Sequence, residues 1–109
     1  MIRRHYVEGR TDYIELPPLF RWLERTKQVS EICISDLRIK EGELDQARVE
    51  KADTKYPLIA VDGLDNKGKK YRLIDGRHRL QKLIRENKRV CDCYILTASE
   101  YRSMITTGE

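Results

Sequence analysis

With 109 residues the chain has the length of one domain, since two halves would each be too small to bury a core without metals or disulfides. Charged residues make up 37% and hydrophobic residues 39%, which excludes the low-hydrophobicity range of disordered chains and implies a thin core under a charged surface. The net charge of +4 is unevenly spread: between 67 and 89 ten bases face two acids, a net +8, while between 31 and 65 five bases face nine acids, a net −4.

A field as lopsided as this suits a polyanion such as a nucleotide or nucleic acid. No apolar run approaches the roughly 18 residues that cross a bilayer, and Met1-Ile2-Arg3-Arg4 is followed by no apolar signal-peptide core. The expectation is a cytoplasmic protein without a membrane partner. Cys33, Cys91 and Cys93 are an odd number in such a chain, so they read as reduced thiols.

A short strand is expected near Tyr6-Val7 and a second over Tyr13-Ile14-Glu15-Leu16. Pro17-Pro18 suits a helix's first turn, and Leu19, Phe20, Trp22 and Leu23 supply an apolar stripe for a helix ending near Lys27. Glu31-Ile32-Cys33-Ile34 alternates as a strand and passes into a turn at Ser35-Asp36-Leu37. The acidic stretch 41–53 has helix-forming composition, with Leu44, Ala47 and Val49 as the only inward candidates, so a short and weakly anchored helix is expected there.

From Pro57 the pattern sharpens. Leu58-Ile59-Ala60-Val61 and Tyr71-Arg72-Leu73-Ile74 flank a stretch of turn formers and predict a β-hairpin with a basic tip. Asp75-Gly76 ends the second strand, and Leu80, Leu83 and Ile84 form the packing face of a helix running to about Asn87. Residues 90–96 then predict a strand with Cys91, Cys93 and Ile95 on one face and Val90, Asp92 and Tyr94 on the other. Thr97 and Glu100 have capping-box spacing for a last helix over about 99–105.

The segment Asp75-Gly76-Arg77-His78-Arg79 therefore sits at a strand-turn-helix junction. The first turn of a helix leaves backbone N–H groups unpaired, and with the helix dipole they attract an anion. Gly76 permits the tight turn, Arg77 and Arg79 offer guanidinium forks matched to phosphate oxygens, and His78 can donate a hydrogen bond or move a proton near neutral pH. Asp75 and His78 are the candidate catalytic residues, with Asp36, Glu41, Glu43 and Asp62 as further carboxylates that the fold would have to bring close. The +8 window supplies a candidate nucleic-acid surface in Lys67, Lys69, Lys70, Arg72, Lys82 and Arg85. Cys91 and Cys93 share a strand face but lack a full set of partners, so they are read as buried thiols and no metal site is assigned.

The run Tyr71-Arg72-Leu73-Ile74-Asp75-Gly76-Arg77-His78-Arg79-Leu80, preceded by Tyr56-Pro57-Leu58-Ile59-Ala60-Val61 and followed by the strand over 90–96, resembles the ParB-like nuclease domain of the ParB/sulfiredoxin-like superfamily. The resemblance covers 31–97 as a core, with an N-terminal extension 1–30 and a C-terminal helix 98–109. It implies an α/β (α+β) fold with a small mixed sheet and flanking helices. It also implies ATP or CTP, with Mg²⁺, bound through Gly76, Arg77, His78 and Arg79, with Lys55 and Tyr56 approaching from the other side. NTPase, phosphotransferase and nuclease activities all occur on this fold. Sulfiredoxin's reactive cysteine corresponds to Arg77, so sulfinic-acid reduction is not expected. No helix-turn-helix or dimerisation segment follows, so a complete partition protein is not expected either. The alternative is a non-enzymatic module of phage or plasmid type that binds DNA or a protein partner, with the acidic stretch or the stripe from Leu19 to Leu23 as the contact.

Overall fold

The computed structural model describes residues 3–7, 9, 11–40, 42–64 and 66–107. Its centre is a five-stranded sheet in the order β3-β7-β5-β6-β4, built from β3 (Ser30–Cys33), β4 (Leu37–Arg38), β5 (Leu58–Asp62), β6 (Tyr71–Asp75) and β7 (Val90–Thr97). β3 and β7 are antiparallel, as are β5 and β6, whereas β7 with β5 and β6 with β4 run parallel. β1 (Arg4–Tyr6) and β2 (Tyr13–Glu15) form a separate antiparallel ribbon.

β5 explains the layering. Leu58, Ile59, Ala60 and Val61 are all buried, as a strand covered on both faces must be. Ile59 and Val61 face one cluster with Ile74, Leu96, the α1 (Leu16–Thr26) residues Leu16, Leu19 and Leu23, and Tyr101 of α4 (Ala98–Ser103). Leu58 and Ala60 face the other, with Leu73, Cys91, Cys93 and Leu80 of α3 (Arg77–Arg85). The sheet is thus sandwiched between α1 with α4 and α3. The alternation expected along β7 is observed: Cys91 and Cys93 are buried on the α3 side, where burial pushes the Cys91 thiol up to about 11 and raises the Cys93 thiol further. Cys33 is exposed.

Thr97 and Glu100 form the expected capping box, with Glu100 N–H donating to Thr97 Oγ1 at 3.1 Å and Thr97 N–H to Glu100 Oε1 at 2.9 Å. The short, weakly anchored helix expected within 41–53 is α2 (Gln46–Lys51): Asp45 caps it through Ala47 N–H at 3.0 Å, and of the three inward candidates only Val49 is buried; Glu41 lies outside the described residues. The turn expected at 35–37 is a 3-10 turn over Ile34–Asp36 followed by β4, a two-residue edge strand too short to carry a sequence pattern. No helix among the described residues is long and apolar enough to cross a membrane.

Candidate functional site

β6 enters the junction and Gly76 turns the chain with φ +107° and ψ 24°, in the left-handed region. A Cβ at this position would strike Leu58 Cδ2, so any other residue here is strained on both conformational and steric grounds. The first hydrogen bond of α3 runs from Leu80 N–H to Gly76 C=O at 2.8 Å, and no side chain caps the helix. The N–H groups of Arg77, His78 and Arg79 therefore precede the ladder and point out of the helix start.

Asp75 is only 7% exposed and both of its oxygens are engaged. Arg3 Nη2 donates to Oδ1 at 3.1 Å and Arg79 Nη2 to Oδ2 at 3.0 Å, and the same Arg79 nitrogen donates to Pro57 C=O at 3.2 Å. Asp75 thus holds two guanidinium groups at the helix start. Arg77 is attached more lightly, through Nη2 to Gly42 C=O at 3.2 Å. The Nε atoms of both Arg77 and Arg79 are buried without an acceptor, which leaves donors unsatisfied beside the open turn.

This turn lines a cleft of about 1070 Å³, slightly above the usual range for ligand sites. Arg3 and the β1 residues Arg4, His5 and Tyr6 contribute to its lining, as do Lys40, Arg48, Asp53 and Tyr56. Six cations (Arg3, Arg4, Lys40, Arg48, Arg77, Arg79) line it against two acids, Asp53 and Asp75, a net +4. Five separated parts of the chain converge on one positive concavity, and positive charge concentrated in a cleft draws in anions.

Desolvation holds His78 below its ordinary value of 6.5, reinforced by the charges of Arg48 and Arg77. Burial likewise lowers His5, against an opposing pull from Asp75, while its Nε2 lies 2.9 Å from the Tyr101 hydroxyl. His78 is consequently neutral at pH 7. Because its folded value lies below the unfolded one, the unfolded chain binds the extra proton, so this contribution to stability is complete above pH 6.5 and is lost as pH falls below it. An NMR titration of the His78 ring should give a midpoint below 6.5, and R48A should move it upward. A midpoint at or above 6.5 would contradict the electrostatics of the cleft.

The structure brings Asp75, Gly76, Arg77, His78, Arg79 and Tyr56 together around the cleft. Lys55 is exposed and is not among the described lining residues; its N–H donates to Asp53 Oδ1 at 3.0 Å. Asp36, Glu43 and Asp62 are not among the lining residues either, and among the described residues no group of three or more His, Cys, Asp or Glu is placed to hold a metal ion.

The basic window of the sequence divides in space. Lys67, Lys69 and Lys70 sit at the hairpin tip, the far end of β6 from the cleft, about 13 Å along a five-residue strand. Lys69 Nζ donates to Ser35 C=O at 2.9 Å, and Lys70 Nζ lies 5.3 Å from the Tyr71 ring centroid. Arg72 is half-buried in β6, and Arg85 is exposed in the last turn of α3. Lys82 has a structural task instead: its Nζ donates to the carbonyls of Glu50 at 2.7 Å and Ala52 at 3.0 Å, tying the C-terminal end of α2 to α3.

Sequence reading missed Arg3, Arg4, Lys40 and Arg48 as site residues. Lys40 and Arg48 were hidden inside a net-negative stretch, and Arg3 and Arg4 lie in the N-terminal extension. Only spacing in three dimensions collects them.

The sequence matches no family model and no curated protein. The fold is similar to the crystal structure of sulfiredoxin from Arabidopsis thaliana, with a TM-score of 0.53 and 16% identity over 71% of this chain and 96% of that one. The chain has the ParB/sulfiredoxin-like fold. At this identity the likeness concerns the fold alone.

Proposed function

We propose that the cleft at the start of α3 binds a nucleotide through its phosphates, with ATP and CTP, the nucleotides the sequence resemblance implies, as first candidates. The observation that carries this reading is the conjunction at one helix N-terminus of three uncapped N–H groups, two arginines with buried unpaired Nε atoms, and a net +4 lining. A nucleoside triphosphate carries about four negative charges near neutral pH, its terminal phosphate about −2, which balances that lining. Exposed Tyr56 at the rim offers a flat apolar surface to a base.

Mg²⁺ would arrive with the phosphates and keep them as its chief ligands, as Mg²⁺ does in many nucleotide sites. In phosphoryl transfer or hydrolysis, neutral His78 is the proton acceptor in the turn, while Asp75 acts by holding Arg3 and Arg79.

Isothermal titration calorimetry of the protein with each of the four NTPs, with and without Mg²⁺, tests the reading. Saturable heat with at least one NTP is expected. Silence with all four, together with salt-sensitive binding to single- or double-stranded DNA, would replace it with a nucleic-acid surface extending from the cleft or the hairpin tip.

A further inference from the structure

The nucleotide reading rests on the α3 turn, yet part of the cleft's lining comes from Arg3 and β1, which lie in the N-terminal extension, outside the stretch whose sequence resembles the ParB-like domain. The Arg3 guanidinium donates one bond to Asp75 Oδ1 at 3.1 Å and its Cζ lies 5.9 Å from the Phe20 ring centroid. Asp75 is 7% exposed whereas the Arg3 side chain is 56% exposed. The guanidinium thus covers a buried carboxylate from the solvent side and keeps further N–H donors free, since arginine has five and the pair with Asp75 is made by one nitrogen.

The backbone beneath Arg3 is held independently of that ion pair. Leu16 N–H donates to Arg3 C=O at 3.0 Å, Arg4 to Tyr6 pair in register with β2, and His5 meets the Tyr101 hydroxyl at 2.9 Å. Arg3 is a cation whose backbone is held and whose side chain is oriented by its one bond to Asp75. A guanidinium held in this way loses little conformational freedom when it binds a phosphate.

We propose that Arg3 is a phosphate ligand of the cleft, engaging a phosphate beyond the one seated on the first turn of α3, which makes the site selective for a polyphosphate chain over a single phosphate. Asp75 holds Arg3 beside Arg79 at the helix start, so Arg3 adds a cation next to the N–H groups of the first turn and extends the phosphate track, and the net +4 lining matches a triphosphate better than a monophosphate. The inference depends on the nucleotide reading and adds to it the residue, Arg3, that distinguishes a polyphosphate chain from a single phosphate.

The test compares AMP, ADP, ATP and inorganic tripolyphosphate by calorimetry on the full chain, in the wild type, R3M and R3K. R3M keeps the apolar stem and removes the charge, and R3K restores the charge without the planar fork. We expect wild-type affinity to rise with each added phosphate. R3M should weaken ATP about tenfold while leaving AMP within about twofold, and R3K should recover part of the loss. Tripolyphosphate following ATP identifies the phosphate chain, rather than the base, as what Arg3 reads.

Equal loss for AMP and ATP in R3M, or no loss for either, overturns the inference while leaving the nucleotide reading intact. If R3M fails to fold, R3K carries the same comparison: an ATP-to-AMP ratio unchanged from wild type overturns it. A wild type that binds none of the four probes overturns the nucleotide reading, and this inference with it.

Discussion

Replacing Asp75 by alanine is expected to lower the unfolding free energy by about 3 kcal/mol, the lower end of the cost of breaking a buried ion pair by removing one partner. Its carboxylate is 7% exposed and meets Arg79, itself only 15% exposed, at 3.0 Å. Loss of the carboxylate leaves the Arg79 guanidinium largely desolvated with Pro57 C=O as its remaining acceptor. The 3.1 Å contact to Arg3 adds little, because Arg3 is more than half exposed and water screens the pair. For a domain of this size the loss corresponds to a fall in Tm of about 10–15 °C. Urea or thermal unfolding of D75A beside R3M separates the two pairs: R3M should cost under about 1 kcal/mol. A D75A protein as stable as wild type would show that Asp75 is not the anchor of this junction.

Arg77→Ala should behave in the opposite way, weakening nucleotide binding strongly while hardly touching stability. Arg77 makes a single hydrogen bond, to Gly42 C=O at 3.2 Å, and its buried Nε has no acceptor. A bound phosphate supplies that acceptor, and hydrogen bonds between charged groups contribute about 1.5–3 kcal/mol each, or roughly a 10- to 100-fold change in Kd. The measurement is the Kd for whichever NTP binds wild type, with Tm recorded in parallel. Binding unchanged in R77A would remove Arg77 from the site. Arg79→Ala differs from both, since it strips Asp75 of its least exposed partner and the turn of a donor together.

The contrast between Arg77 and Arg79 shows how much of the site was legible in advance. Asp75-Gly76-Arg77-His78-Arg79 reads as an anion-binding turn from residue types alone, because glycine after a strand and arginines at a helix start have few other combined uses. The two arginines look equivalent there. Local geometry separates them: Arg79 is four residues from Asp75 and bonds its carboxylate, while Arg77 bonds the Gly42 carbonyl instead. Asp75 changes in the same way, from a candidate catalytic carboxylate to a side chain with both oxygens occupied.

The basic window shows the opposite failure. Charge counting treats 67–89 as one surface, but β6 carries the chain across the sheet between Lys70 and Asp75, so the tip lysines and the cleft arginines lie at opposite ends of a strand. Lys82 points back to the carbonyls that end α2.

What this amino-acid order determined unaided is local. The hairpin, the tight turn at Gly76, the two faces of β7 and the Thr97–Glu100 cap all follow from periodicity, turn chemistry and spacing within a few residues. The cleft needed folding. Arg3 and Asp75 are 72 positions apart in sequence and 3.1 Å apart in space, and Arg48 lines the same cleft from a stretch whose net charge has the wrong sign. Electrostatic fields depend on distance through space, whereas a sequence pattern records only distance along the chain.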